Sequence, residues 1–463
     1  INAEALRGFA ADGVSVVVSV DCGITAMEQA VLARELGIDL SITDHHNPPA
    51  DGSLPDAFAL VHPRVGDGYP YPELCGAGVA FKLAWRIITR HVGSERVGEE
   101  ARRVLLDGLA LAGLATIADV VPLVNENRVI AKHGLARVKH TENIGLSALI
   151  EASGLAGKDV GSEEAGYVIG PRLNACGRMG HAREAVELLT TSDADRAREL
   201  ARQLDRHNRG RRDMEKRIFD EASERVVSLG LDTTEHRAIV LSGEGWHPGV
   251  VGIVCSRLVG RFCRPSVLLC DDGEHATGSG RSINGYNLHG GLSHCADLLD
   301  RFGGHDMAAG MGLPSGRVGD FADRLGDHAR AHIDEDQLTP SLRIDCEADV
   351  GELSMRCLAQ LEALAPFGRS NPAPSVLIRG LRVRRSAETM GGAGAHLQVR
   401  FGDGGSGSLR AIGWRMGEHV STLREGMVVD AVVRPRISTW KGQSRVEVEL
   451  RDMALVSGLT PAT

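Results

Sequence analysis

Two short apolar runs near the start of the chain bracket a helical pattern. Residues 14–20 are rich in β-branched side chains and run into Asp21-Cys22-Gly23; residues 38–43 run into Asp44-His45-His46. Runs of this length and composition, flanked by turn or helix signals, predict buried parallel strands. Between them, residues 25–36 read as a helix with Ala26, Ala30, Val31 and Ala33 available for a buried face. The unit is strand–helix–strand. In open α/β sheets ligands bind beyond the carboxyl ends of the strands, where this pattern puts Asp21 and the Asp44-His45-His46 triplet.

Residues 77–90 and 99–114 read as amphipathic or buried helices, and residues 116–123 place Asp119 in a turn after an apolar segment. Residues 170–178 read as a loop rich in breakers and cations. Residues 182–229 form the longest helical stretch, polar over much of its length, which predicts a connector between globular parts. A second α/β region follows, with strands at 238–242 and 265–270, a helix at 249–261 and an end near 335. Beyond 342, short alternating segments at 375–379, 396–400, 428–433 and 445–450 are separated by turn residues, as in a small β-barrel. The fold class is therefore α/β: two α/β domains joined by a long helix and followed by a β-barrel. The expected segments are 1–178, 179–230, 231–336 and 340–457.

At 463 residues the chain should hold several domains. A mean hydropathy of -0.09 fits a soluble globular protein. No apolar stretch reaches ~18 residues, so no membrane-spanning helix is expected, and no signal peptide is visible. The nine cysteines are scattered, without a Cys-x-x-Cys pair, which argues for reduced thiols in a cytoplasm and against structural zinc. Net charge is -9, but residues 342–456 carry 16 Lys+Arg against 13 Asp+Glu. The local balance there is positive, and the acidity lies elsewhere. Ile1 is followed by what reads as a helix already under way, so the chain is expected to be a fragment lacking an upstream piece.

Asp21, His45, His46 and Asp119 form the strongest chemical set. Hard carboxylates with imidazole suit Mn²⁺ or Mg²⁺, and two such ions can clamp a displacement at phosphorus. The plainer alternative is a capping aspartate and two ordinary loop histidines. Arg172, Asn174 and Arg178 can bind the scissile phosphate, since arginine matches phosphate geometry; the alternative is a solvated loop. Residues 278–282, with Arg281 and Ser282, and Gly303-Gly304-His305 combine close backbone approach with charge for a phosphate, against ordinary glycine-rich turns. His247, before Pro248, reads as structural. In the C-terminal region Phe401, Trp414 and Trp440 are candidates for base stacking, with Arg384, Arg385, Arg434, Arg436 and Lys441 along the backbone; the competing reading places most of these aromatics in the core.

These motifs, in this order, resemble the RecJ family of the DHH phosphoesterases over nearly the whole chain. The Asp-His-His triplet alone indicates only the superfamily; residues 170–178, the long connector and the terminal barrel narrow it. The resemblance implies a DHH catalytic domain, a DHH-associated domain and an OB-fold barrel that guides single-stranded DNA. It implies a 5′→3′ exonuclease on single-stranded DNA, releasing mononucleotides for recombination and repair with Mn²⁺ or Mg²⁺ in a two-metal site. Asp21, His45 and Asp119 would be metal ligands; His46 would sit at the scissile phosphate, with Asp44 orienting the histidines. Arg172, Asn174, Arg178, Arg281, Ser282, Gly303, Gly304 and His305 would hold phosphate or the strand end. A monomer working with a single-strand-binding protein and a helicase is expected. The family's upstream strand ending in Asp-x-Asp is not found before Asp21. Two other readings compete: a DHH phosphodiesterase on short oligonucleotides or cyclic dinucleotides, which needs neither connector nor barrel, and a non-catalytic DNA-binding scaffold.

Overall fold

Asn2 opens the first helix by accepting from the backbone N–H groups of Glu4 (2.7 Å) and Ala5 (3.2 Å), two donors that a helix start leaves without partners. Helix α1 (Ala3–Ala11) buries Leu6. Strand β1 (Val16–Val20), helix α2 (Met27–Glu35) and strands β2 (Asp39–Thr43) and β3 (Ala59–Val61) follow. The three strands are parallel in the order β1-β2-β3, and Val20, Thr43 and Val61 stand level. The residues that follow, Asp21, Asp44 and His62, therefore leave the sheet side by side. Helices α3 (Gly76–Val92), α4 (Glu99–Ala118) and α5 (Asn125–Val138) complete this part. The structure is a computed structural model and describes residues 1–66, 68–402, 408–440 and 442–456.

The described chain divides into two compact units, one drawing on residues 1–140, 159–166 and 342 onward, the other on 141–158 and 167–341. The strand expected at 14–20 exists, but it is not buried as expected. Val16, Val18 and Val20 are more than half exposed, while Val17 turns toward the core of Leu6, Ala30, Leu40 and Ile42. An edge strand fills one face and leaves the alternate residues outward. For a similar reason Val31 lies exposed on α2, whose buried face is Ala30 and Ala33.

In the second unit, helix α6 (Ile144–Ala152) is followed, after the single turn α7 (Ser162–Glu164) of the first unit, by α8 (Gly170–Met179). Residues 170–178 are thus helical rather than a loop. Pro171 sits in the first turn, where its missing N–H costs nothing, and Ala175 and Cys176 are buried. The stretch expected as one helix from 182 to 229 is two, α9 (Arg183–Thr190) and α10 (Ala194–Ser228). Asp193 caps α10 by accepting from Asp195 and Arg196 N–H. Helix α10 is polar by composition yet buries a stripe of Leu200, Leu204, Ile218, Ala222 and Val226, so it is a core element of this unit. Strand β4 (Ile239–Gly243), helix α11 (Pro248–Phe262), strands β5 (Ser266–Asp271) and β6 (His275–Arg281), helix α12 (Leu288–His294), strands β7 (Arg301–His305) and β8 (Ala308–Pro314) and helix α13 (Val318–His332) follow, with sheet order β4-β5-β6-β8-β7. The two glycine-rich motifs lie in strands β6 and β7 rather than in turns. A Cβ on Gly280 would stand 2.8 Å from Leu288, so small residues let this sheet pack closely.

The C-terminal segment contains β9 (Cys346–Glu347), α14 (Met355–Glu362), β10 (Val376–Met390), β11 (His396–Gly402), β12 (Leu409–Gly413), β13 (Val428–Trp440) and β14 (Gln443–Leu455). The order is β11-β12-β14-β13-β10-β9, and β11 also pairs with β10, so each of the five longer strands has at least two neighbours, and β10 has β9 as a third. Alternate residues such as Ile378, Val399, Ala431 and Val448 fill the interior.

Candidate metal centre

The level strand ends bring together the residues that the sequence singles out. Asp21 donates its N–H to Thr43 O (2.9 Å) and takes a left-handed backbone, φ 63°, which aspartate tolerates better than most residues. Its carboxylate lies where a Cβ on Gly76 would be, so only glycine fits at the start of α3. Asp44 is buried, and its carboxylate accepts from Ile24 N (3.0 Å), His45 N (2.7 Å), His46 N (3.2 Å) and His46 Nδ1 (2.7 Å). Burial pushes its pKa up, but these four donors outweigh burial and hold it below the usual value. Because His46 gives Nδ1–H to Asp44, its Nε2 faces outward as a lone pair or proton carrier.

His45 Nε2 stands 3.1 Å from Asp21 Oδ1 and 3.6 Å from Asp119 Oδ2. The Asp21 hydrogen bond raises its pKa; burial opposes this, and the charge of Asp119 adds to the rise. Asp119 caps α4, and burial lifts its own pKa. An imidazole nitrogen thus stands between two carboxylates, a place that suits a cation. One donor atom each from Asp21, His45 and His46 falls within 4.8 Å of the others. Oxygen and imidazole donors at this spacing fit a hard divalent cation.

His62 is a member that the sequence reading missed. Its Nε2–H donates to His46 O (2.8 Å), its Nδ1 accepts from Arg64 N (3.0 Å), and burial lowers its pKa. The ring is a neutral strut under the His46 backbone. Its signal was the third short apolar run, Ala59-Leu60-Val61, followed directly by a histidine.

The remaining predicted residues behave differently from one another. Arg172 is engaged by Asp205 (Nε 3.0 Å, Nη2 2.9 Å) and by Val168 O (2.7 Å), which makes it a brace between α8 and α10. Asn174 is exposed. Arg178 donates to Gly249 O (2.8 Å); desolvation lowers its pKa, and the positive charges of Arg211 and Arg281 lower it further. Among the described residues neither Arg178 nor Arg281 has a carboxylate partner. Arg211, whose charge also acts on Arg178, differs from them in being paired with Glu215 (2.7 Å). Ser282 is buried with its hydroxyl donating to Tyr286 O (2.7 Å). Gly303 lines a cavity of about 400 Å³ with Pro248, Ser279 and Arg301, and Gly304 and His305 are exposed beside it on β7. His247 caps α11 by accepting from Gly249 N (3.1 Å), a structural role.

In the C-terminal segment Phe401 is wholly buried and belongs to the core, whereas Trp414 is 45% exposed. Arg434 and Arg436 pair with Glu449 (3.9 Å) and Glu447 (2.6 Å), and Arg385 with Glu388 (3.0 Å). Arg384 is also engaged. The Trp440 side chain and Lys441 lie outside the described residues.

Three family models match the chain: the DHH family N-terminal domain at residues 3–113, the DHHA1 domain at 235–331 and the RecJ OB domain at 344–452. The single-stranded-DNA-specific exonuclease RecJ of Bacillus subtilis is 40% identical over 457 residues, covering 98% of this chain and 56% of its own length. The protein of the same name from Thermus thermophilus is 34% identical, covering 96% of this chain and 61% of its own length. Among solved structures, RecJ of Thermus thermophilus in complex with Mn²⁺ superposes with a TM-score of 0.82 at 30% identity, over 99% of this chain and 64% of that one. A structure of exonuclease RecJ bound to manganese is 32% identical over 73% of this chain and 81% of its own, with a TM-score of 0.61. The chain belongs to the RecJ family. It spans a little over half the length of the curated relatives cited, 56% and 61%. No helix among the described residues is long and apolar enough to cross a membrane.

Proposed function

We propose that the chain carries the nuclease centre of a metal-dependent 5′→3′ exonuclease that releases mononucleotides from single-stranded DNA. The observation that carries this reading is His45 held between the carboxylates of Asp21 and Asp119, beside a His46 fixed by the buried Asp44. Asp21, His45 and Asp119 would hold Mn²⁺ or Mg²⁺, the ions named for the crystallised relatives. When bound, a pair of such ions supplies Lewis-acid charge at a phosphoryl group and lowers the pKa of water. The chain's own residues do the rest. Asp44 keeps the His46 ring in one tautomer, so that Nε2 can hold a proton at a phosphate oxygen. His62 fixes the backbone carbonyl behind that ring. On the second unit, Arg178 and Arg281 offer guanidinium groups without carboxylate partners to strand phosphates. The C-terminal β-domain, with Trp414 exposed, adds a surface for single-stranded DNA. The same reading places the protein in the cytoplasm as a monomer, working with a single-strand-binding protein and a helicase.

The test is Mn²⁺-dependent release of labelled mononucleotide from 5′-labelled single-stranded DNA by the protein at its native length, with a labelled dinucleotide in parallel. Faster turnover of the long strand supports the reading. Faster turnover of the dinucleotide favours a short-oligonucleotide phosphodiesterase, and DNA binding without release from either favours a scaffold.

A further inference from the structure

Asp119 stands at the head of a segment whose backbone is unusual at both ends. Val120 has φ 57° and Asn125 φ 45°. A β-branched residue in the left-handed region is uncommon, and such conformations persist only where the surroundings over-determine them. The surroundings here come from two sides. On one, Tyr71 Oη donates to Pro122 O (3.3 Å) and Val124 O (3.1 Å), and Asn127 Nδ2 donates to Pro122 O (3.1 Å) and Glu73 O (2.6 Å).

The other side is supplied from far along the sequence, by a loop of the C-terminal β-domain in the same compact unit. Leu123 donates its N–H to Arg369 O (2.8 Å). The Arg128 guanidinium donates to Leu364 O (2.8 Å) and Ala363 O (3.3 Å) at the end of α14. A Cβ on Gly368 would lie 2.7 Å from Leu123 Cδ1, so glycine is what lets the loop close over this buried leucine. The loop is itself fixed: Asn371 Nδ2 donates to Pro366 O (2.8 Å) and Leu364 O (3.0 Å), and Gly368 and Asn371 exchange backbone bonds.

We propose that residues 363–371 form a bracket that positions Asp119, so that the affinity of the metal centre depends on Gly368 and Arg128, which are positioning residues outside the donor set. The inference rests on the metal-centre reading above. Carboxylate ligands must be held in place to bind tightly, and disturbing the groups behind a ligand costs metal affinity roughly 10–100-fold. The β-domain thereby acts on the metal centre as a structural support, apart from any contact it makes with DNA.

The test compares the protein with its Gly368→Val, Arg128→Ala, Arg128→Lys and Phe401→Leu variants. Two quantities are read: Mn²⁺ affinity, from the electron paramagnetic resonance signal of free Mn²⁺, and protection of the Leu123 amide from hydrogen exchange. Gly368→Val and Arg128→Ala should weaken Mn²⁺ about 10-fold and expose the Leu123 amide, with Arg128→Lys recovering part of the loss. Phe401→Leu loosens the β-domain core away from the bracket and should leave Mn²⁺ affinity unchanged, which separates positioning from general destabilisation. Unchanged Mn²⁺ affinity in both bracket variants overturns the bracket while the metal centre stands. Equal weakening in Phe401→Leu also overturns it. Absence of Mn²⁺ binding by the unsubstituted protein overturns both.

Discussion

The metal centre and the β-domain handle charge in opposite ways. At the strand ends Asp21 and Asp119 share one imidazole, and the negative charge is left incompletely balanced. In the β-domain, the buried Glu447 is met by Arg410, Arg436 and Arg445, and Glu449 by Arg434 and Arg451. The strand register imposes these meetings: Arg410 and Arg436 both stand opposite Glu447, and Arg434 opposite Glu449. Charges paired this closely are architecture, because without the arginines the buried glutamates would stand uncompensated. Charges crowded around a single imidazole suit the cation site proposed above. On the proposed function, only the arginines in excess of the two glutamates are available to attract phosphate.

The largest expected effect comes from breaking the compensated side. Glu447→Ala removes a buried acceptor of charged hydrogen bonds and should destabilise the protein by about 1.5–3 kcal/mol, measured by denaturant unfolding of the β-domain. Next is the support of the metal centre. Asp44→Asn replaces a carboxylate that accepts four hydrogen bonds and weakens the acceptor that fixes His46; it should lower Mn²⁺ affinity about 10- to 100-fold in a calorimetric titration. The uncompensated side should respond with the opposite sign in stability. Asp119 is 43% exposed, and desolvation and the charge of Asp21 disfavour its charged form, so Asp119→Asn should slightly raise the metal-free protein's stability while weakening Mn²⁺ binding, a trade between stability and function. The smallest effect serves as calibration: Arg34 and Asp56 form an ion pair exposed on both sides, and Arg34→Ala should change stability by less than about 1 kcal/mol.

Much of the centre was legible in the sequence because its residues follow short apolar runs directly. Asp21 and Asp44 end strands that any period count finds, and the triplet fixes His45 and His46. His62 was less legible because β3 has only three residues and its histidine precedes a proline, which reads as a turn. The loop expected at residues 170–178 is a helix because Pro171 falls in its first turn, where proline is tolerated, and Gly170, Ala175 and Cys176 are buried. The division of the long helical stretch was written in Thr191-Ser192-Asp193, a cap signal inside an otherwise continuous pattern. Arginine roles were the least legible. Arg172 and Arg178 lie in one helix, yet one is matched by a buried aspartate on α10 and the other has no carboxylate beside it among the described residues. Composition cannot distinguish them, because the distinction is made by a partner 33 positions away.

The central claim is that the paired carboxylates around His45 are a site for a divalent cation. The most direct test is Mn²⁺ titration of the protein and its Asp21→Asn variant, followed by the electron paramagnetic resonance signal of free Mn²⁺. The account predicts saturable binding by the protein that is lost in the variant while the fold is kept. Equal Mn²⁺ binding by both, or none by either, would contradict it.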